Sequence, residues 1–179
     1  MALLIATGVV AATTPSAADW EQPFVVHASI GEPIAGRNIA VTVHAATVTN
    51  RVFDDRWSST PGSTWVVVDA SAAVVHTETA ATIRHAVLVV GDRSYAASTR
   101  SSAFVLNSVA LSIDVPTRGW LAFELPADAL SARGAERARL ELAMNADPRL
   151  DSMIVATVDL TSVPALAEVE LSDAVWGER

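Results

Sequence analysis

The sequence at positions 119–126 is Gly119-Trp120-Leu121-Ala122-Phe123-Glu124-Leu125-Pro126. Leu121, Phe123 and Leu125 recur at every second position, which is the period of a β-strand with one face buried in a core. The proline ends the pattern, because it cannot donate a hydrogen bond to a neighbouring strand. We therefore predict a strand over 120–125. The stretch carries no reactive group, so its predicted role is structural.

Similar short stretches recur along the chain and are separated by turn signals such as Gly31-Glu32-Pro33, Pro61-Gly62 and Gly91-Asp92. A strictly parallel sheet needs crossover helices, and one helical turn at 128–139 is all that the pattern offers. The predicted fold is therefore all-β, an immunoglobulin-like antiparallel β-sandwich that follows an N-terminal apolar segment. Further strands are predicted at 24–28, 39–48, 65–75, 83–90, 94–96, 104–113, 140–144 and 154–160.

Composition limits the classes of function. The chain has 179 residues, 51% of them hydrophobic, and a net charge of -8 with no lysine and no cysteine. One domain with a substantial core is expected at this length. The acidic balance argues against binding to nucleic acid and against attraction to anionic lipid. The lack of cysteine removes disulfides, thiolate metal sites and cysteine nucleophiles, but it does not assign a compartment.

The N-terminal segment is apolar and uncharged over residues 1–14. It is shorter than the roughly 20 residues that span a bilayer. Its length suits the apolar part of a signal peptide, and Ser16-Ala17-Ala18 allows cleavage before Asp19. A basic region before it is missing. Either this is an export segment, or it is the outer end of a membrane anchor that begins upstream; the alternative is an apolar terminus of a cytosolic protein.

The predicted organisation is a signal-like or truncated anchor segment at 1–18, the sandwich domain at 19–163 and a C-terminal tail at 164–179. The expected location is extracytoplasmic, either secreted or anchored to the cytoplasmic membrane. Contact with the membrane is expected only through the N-terminal segment, where Trp20 would suit the bilayer interface.

The order of these blocks resembles a known family, the DUF4352 and MPT63-like immunoglobulin-like exported domains of bacteria. The matching blocks are Gly31-Glu32-Pro33-Ile34 before the strand at 39, Trp65-Val66-Val67-Val68-Asp69, Gly91-Asp92-Arg93-Ser94-Tyr95 and the stretch at 119–126. The resemblance covers about residues 24–160. It implies an exported, non-enzymatic domain and supplies no catalytic residues. The chain departs from the family in the run from 70 to 75, which continues the central strand, and in having no cysteine for lipid attachment.

The chemistry-bearing residues form no catalytic or metal-binding motif. His27, His44, His76 and His85 lack metal-ligand spacing. Neither a Gly-x-Ser-x-Gly nor a Ser-x-x-Lys motif is present. The pairs Asp54-Asp55 and Asp147 with Asp151 do not follow a calcium-loop pattern and are interpreted as turn carboxylates. We therefore expect no enzyme, no cofactor and no metal.

A partner-binding loop is the leading candidate for function, because loops on a rigid sandwich commonly carry binding residues. The candidate residues in the polar segment 50–63 are Asp54, Asp55, Arg56 and Trp57; the segment 91–102 is a second candidate. An exposed Trp57 could stack on a sugar or on a partner's side chain, whereas the alternative is that it folds back over the end of the sandwich.

The leading hypothesis is a non-catalytic binding or accessory module with a cell-envelope protein or glycan as its partner. The second is a structural or assembly subunit of a membrane complex that docks by a strand edge. A hydrolase of unrecognised type is a distant alternative. The sequence leaves the oligomeric state open.

Overall fold

The computed structural model describes residues 21–76 and 81–177. These residues form short and medium β-strands and two single-turn 3₁₀ segments, Ala129–Ser131 and Ala135–Arg137. The strands are β1 (Phe24–Ala28), β2 (Ile34–Ala35), β3 (Ile39–Thr49), β4 (Val52–Phe53), β5 (Thr64–Val74), β6 (His85–Val90), β7 (Arg93–Ala96), β8 (Thr117–Leu125), β9 (Ala138–Ala143), β10 (Ser152–Val158), β11 (Ala165–Leu166), β12 (Val169–Glu170) and β13 (Val175–Trp176).

Two sheets stack to form the sandwich. The first has the order β1-β10-β9-β6-β7, and the second has the order β11-β3-β5-β8-β13 with β2 also paired to β3. The central pairs are antiparallel, whereas β1 lies parallel to β10 and β11 lies parallel to β3. Parallel pairing thus occurs at the margins of these two sheets and in a separate two-stranded sheet, where β12 lies parallel to β4.

The four central strands follow the immunoglobulin arrangement. β5 pairs with β8 in the second sheet and β6 pairs with β9 in the first. The chain changes sheets between β5 and β6, between β7 and β8, and between β8 and β9. Strands B and E face C and F in this way in the immunoglobulin fold. The predicted fold class, an antiparallel β-sandwich, is confirmed.

The core lies between the sheets and is built from alternating side chains. Leu121, Phe123 and Leu125 of β8 all point into it, as the opening stretch predicts. Val66, Val68 and the small residues of β5 pack opposite Leu140, Leu142 and Ile154 of the first sheet. Alternation places the other side chains of β5, including Trp65, Val67, Asp69 and Ser71, on the outer face of the second sheet.

Two segments, one around Val105 and the other around Leu171, cover the half of that outer face that carries Trp65 and Val67. Val105 and Leu171 pack on Trp65 and Val67 in a second apolar cluster. Backbone hydrogen bonds hold the covering segments in place: Leu106 N donates to Trp120 O at 3.0 Å, and Leu171 N donates to Phe53 O at 2.8 Å. Residues 104–113, for which the sequence predicts a weak strand, form turns and isolated bridges within this cover.

The turn between β6 and β7 packs tightly against the second 3₁₀ segment. Gly91 has a φ of +62°, and a Cβ there would lie 2.5 Å from the carbonyl oxygen of Arg133. Gly134, with a φ of +97°, faces Gly91 from the other side. Glycine is required at both positions because the two backbones approach too closely for a side chain.

The sandwich has two distinct ends. Phe24 N donates to Asp151 O at 2.8 Å, and the Asp151 carboxylate accepts from Asn38 Nδ2 at 3.0 Å, so β1 begins beside the residue that precedes β3. We call this the proximal end. The distal end is reached after the 11 residues of β3, about 35 Å away at the usual rise per residue. It carries β4 and the loop of Asp54.

Candidate functional site

Asp54 lies in a tight turn at the distal end. Its backbone N–H donates to Trp57 O at 2.8 Å, closing a hairpin in which Phe53 bridges Ser58. Its Oδ1 accepts from the backbone N–H groups of Arg56 at 2.7 Å and Trp57 at 2.8 Å. This is an Asx turn, which aspartate forms readily because its short side chain reaches the backbone N–H two residues ahead.

The same carboxylate also holds a second loop. Oδ2 accepts from Ser101 Oγ and from the backbone N–H of Ser102, both at 2.7 Å, and Oδ1 accepts from Ser102 Oγ at 2.6 Å. Partial burial acts to raise the pKa of Asp54, but the hydrogen bonds from Ser102, Ser101 and the backbone outweigh it and hold that pKa well below its usual range. Asp54 is therefore a charged cross-link between two loops.

Trp57 is half-buried and packs on the sandwich. Its ring meets that of Trp65 edge to face, with centroids 5.9 Å apart and an interplanar angle of 76°. The Arg100 guanidinium lies 5.6 Å from the centroid of Trp57 and 5.1 Å from that of Trp65. These contacts fix the base of the loop through stacking and cation–π attraction.

Asp55 and Arg56 are exposed and face a cavity of about 300 Å³ at the distal end. Phe104 is also exposed there, and its backbone is held by hydrogen bonds with Asp173 Oδ1 and with Ala174 N, both at 2.8 Å. We call this the distal cavity. Its lining comprises Asp54, Asp55, Arg56, Ser102, Ala103, Phe104, Glu170, Leu171, Ser172 and Asp173.

The distal cavity combines three segments that are far apart in sequence. Of the four residues proposed from sequence, Asp54, Asp55 and Arg56 line it, while Trp57 supports its base. Sequence reasoning missed Phe104 and the tail carboxylates Glu170 and Asp173, because no local signal brings 104 and 170–173 beside residue 55. The lining has four carboxylates and one guanidinium, so its charge favours a basic partner.

A second depression lies on the uncovered half of the outer face of the second sheet. This outer groove of about 480 Å³ has small residues such as Ala40, Thr42 and Ala73 along its floor, with Pro33 and Pro116 in its walls. His44 reaches it through a β-bulge, since Val43 pairs with Ala70 and the next partners are Ala45 and Asp69. A bulge adds one residue and redirects its side chain.

His44 Nε2 lies 2.7 Å from Ser71 Oγ in the outer groove, and Asp114 lines the same groove. A serine–histidine pair is one part of a nucleophilic centre. However, Ser71 lies within a strand that is paired on both sides, with Thr42 and Arg118 as its neighbours. Those ladders engage the backbone N–H groups of the strand that carries Ser71 in sheet hydrogen bonds. The geometry suits a structural or ligand-contacting hydrogen bond.

The remaining histidines are dispersed. His27 and His76 are exposed, and His85 Nε2 lies 3.5 Å from Glu141 Oε2. Among residues 21–76 and 81–177, no three potential metal-ligating side chains come together. None of the helical turns in those ranges has the length and apolar character to cross a bilayer.

No protein-family model matches the chain, and no curated protein matches it significantly. Solved structures of similar fold include an uncharacterised β-sandwich protein from Clostridium difficile 630, with a TM-score of 0.50 and 11% identity over 81% of this chain and 99% of the other. Another is a candidate lipoprotein from Staphylococcus aureus, with a TM-score of 0.52 and 6% identity over 79% of this chain and 97% of the other. Identities this low establish likeness of fold alone.

Proposed function

We propose that the protein is a non-catalytic, extracytoplasmic accessory module that binds a basic segment of a cell-envelope protein in its distal cavity. The observation that carries the proposal is the convergence of three separate segments on one acidic cavity with an exposed aromatic side chain. Phe104 supplies apolar contact area, while Asp55, Glu170 and Asp173 supply charge around it. Aromatic anchors surrounded by polar residues are common in protein interfaces.

The rigidity of the distal end supports this function. Asp54 joins the loop of Asp55 to the loop of Ser102, and Asp173 fixes the backbone of Phe104. The backbone that carries the contact side chains is therefore held in position before a partner arrives, which lowers the entropic cost of binding.

The position of the cavity supports a module that projects from a surface. The chain enters the sandwich at the proximal end, from an apolar N-terminal segment, and the cavity extends from the distal end onto the outer face of the second sheet, where Ser172 accepts from Trp120 Nε1. We infer that the segment exports or anchors the protein, in line with the likeness in fold to a candidate lipoprotein. Membership of the DUF4352 family is part of this proposal and rests on the sequence resemblance.

Deleting the segment 50–63 would also remove Val52 and Ser59, which are buried, and would disturb the fold. Point substitutions therefore test the binding proposal better. The purified chain is immobilised and exposed to solubilised cell envelope, and captured proteins are quantified by mass spectrometry. Phe104→Ser and Asp55→Arg should each lower capture of a partner about 10-fold. The control Ile113→Ser changes an exposed apolar residue at the proximal end and should leave capture unchanged.

Capture that is equal for Phe104→Ser, Asp55→Arg and Ile113→Ser contradicts binding in the distal cavity. Treating the envelope fraction with protease distinguishes a protein partner from a glycan partner. Retention that depends on Phe104 but survives protease indicates a glycan rather than a protein.

The length of the free sheet edges bears on edge docking, and the first sheet offers only short ones. The described margins of the first sheet are β1, with five residues, and β7, with four. In the second sheet, β2 and β11 pair with only Ala40, Val41, Val48 and Thr49 of β3, so among the described strands none pairs with the middle of β3 on that side. Docking by strand addition gains its affinity from a run of main-chain hydrogen bonds, so longer free edges favour it.

A further inference from the structure

Three large apolar side chains are exposed at the proximal end. Phe24 is 62% exposed, Val25 is 44% exposed and Leu150 is 56% exposed. Phe24 N donates to Asp151 O at 2.8 Å and Leu150 N donates to Gln22 O at 3.4 Å, so the start of β1 and the β9–β10 loop lie side by side. We call Phe24, Val25 and Leu150 the proximal tip.

The backbone of Leu150 is held in an unfavourable conformation. Its φ is +60°, in the left-handed region that suits glycine or asparagine rather than leucine. The loop around it is fixed, because the Asp151 carboxylate accepts from Asn38 Nδ2, Asn145 Nδ2 and the backbone N–H of Ser152. Leu150 therefore stays exposed at an energetic cost, which is common for residues with a functional role.

The chain that leads into the proximal tip indicates what covers it. Residues 1–14 are apolar and uncharged, and they are followed by residues 15–23 before β1. Nine extended residues reach at most about 30 Å. A bilayer that holds the apolar segment thus keeps the proximal end near its surface.

Charge at the proximal end fits a neutral lipid surface. Arg149 pairs with Asp147 at 2.6 Å and with Glu21 at 3.0 Å, so its charge is balanced locally. With a net charge of -8, the chain has no attraction to anionic lipid. Apolar contact with the interfacial region is the interaction that remains available.

We propose that Phe24, Val25 and Leu150 rest in the interfacial region of a zwitterionic bilayer and orient the distal cavity away from it. This proposal rests on the anchoring that forms part of the proposed function. The proximal tip thereby makes a second apolar contact with the bilayer, beside that of the apolar segment 1–14, which is shorter than a full membrane span.

The absence of cysteine from the sequence allows a clean single-label experiment. Leu150→Cys in the full chain is labelled with an environment-sensitive dye and reconstituted with phosphatidylcholine vesicles. The matched control is Leu166→Cys, because Leu166 is 52% exposed and pairs beside Thr49 at the distal end. The dye at 150 should shift to shorter wavelength and be quenched by lipid-attached nitroxide, whereas the dye at 166 should do neither.

The possible outcomes separate the contact from the anchoring. A chain that does not float with vesicles contradicts the anchoring and the contact together. A chain that floats but gives equal signals at 150 and 166 contradicts the contact alone. A dye at 150 that is already shielded without vesicles shows that another part of the protein covers the tip, which also overturns the proposal.

A second variant distinguishes lipid contact from a role in folding. Leu150→Asn suits the left-handed backbone, so we expect unchanged or greater stability to urea. Its affinity for vesicles should nevertheless fall about 10-fold, while Leu166→Asn should have no effect. Unchanged affinity of Leu150→Asn would sink the proposal, because the side chain would then contribute nothing to lipid contact.

Discussion

Asp54 shows how a single carboxylate can organise the end of a sandwich. Its two oxygens accept five hydrogen bonds, from Arg56, Trp57, Ser101 and Ser102. The donors come from loops nearly fifty positions apart. Because an ionised carboxylate accepts hydrogen bonds more strongly than a neutral group does, the charge itself contributes to the joining of the loops.

Replacing Asp54 with asparagine should destabilise the fold. The amide removes the charge and presents N–H groups to the Ser101 and Ser102 donors, from which the carboxylate accepts. We expect the free energy of unfolding to fall by about 1–3 kcal/mol. Urea denaturation measures the loss. The control Asp55→Asn, at the exposed neighbouring position, should change stability by less than about 0.5 kcal/mol.

The pH dependence of the same variant follows from the lowered pKa of Asp54. A carboxyl whose pKa is lower in the folded state stabilises the fold above its unfolded value of about 3.9, and this contribution is lost as the pH falls through the folded value. The difference in unfolding free energy between the natural chain and Asp54→Asn should thus be constant from pH 5 to 7. It should narrow below about pH 4; a difference that widens in acid would contradict the assignment.

At the scale of elements, the tail from β11 to β13 is part of the second sheet and its cover. Leu171 is 3% exposed and packs on Trp65 and Val67. Leu171→Ala should therefore lower the free energy of unfolding by about 2–5 kcal/mol. Leu166→Ala, at an exposed position of the same tail, should cost less than about 0.5 kcal/mol. Equal effects in a denaturation experiment would mean that the tail does not cover the cluster.

The pattern of apolar residues is sufficient to locate the long strands. β3 and β8 lie where alternating apolar residues predict them. β5 lies where a continuous apolar, β-branched run predicts it, because β5 is buried on both faces. The weak strand predicted at 104–113 is wrong because its apolar residues Val105 and Leu106 are buried by a covering loop rather than by strand pairing. A covering loop and a paired strand have the same apolar composition, because both bury their side chains.

The tail and the distal cavity could not be read from the sequence for a related reason. Strands of two residues have no measurable period, and β11 and β12 pair in parallel with β3 and β4 across more than a hundred positions. Asp54 and Asp55 are both polar loop residues in the sequence. Nothing in their local sequence shows that Asp54 joins two loops while Asp55 is exposed. That distinction depends on Ser101 and Ser102.

At the scale of the whole molecule, the length of β3 separates the two ends of the sandwich. The proximal end receives the chain from the apolar N-terminal segment and exposes Phe24 and Leu150. The distal end gathers Asp55, Phe104 and Asp173 around an acidic cavity. The proposed function depends on this separation, because a module held at one end presents its partner surface at the other.

Crosslinking in living cells tests this account most directly. A photo-reactive amino acid is placed at position 104 in the distal cavity or at position 113, an exposed site near the proximal end. The account predicts a specific adduct with an envelope protein from position 104 and none from position 113. Adducts from position 113 with none from position 104 would contradict it.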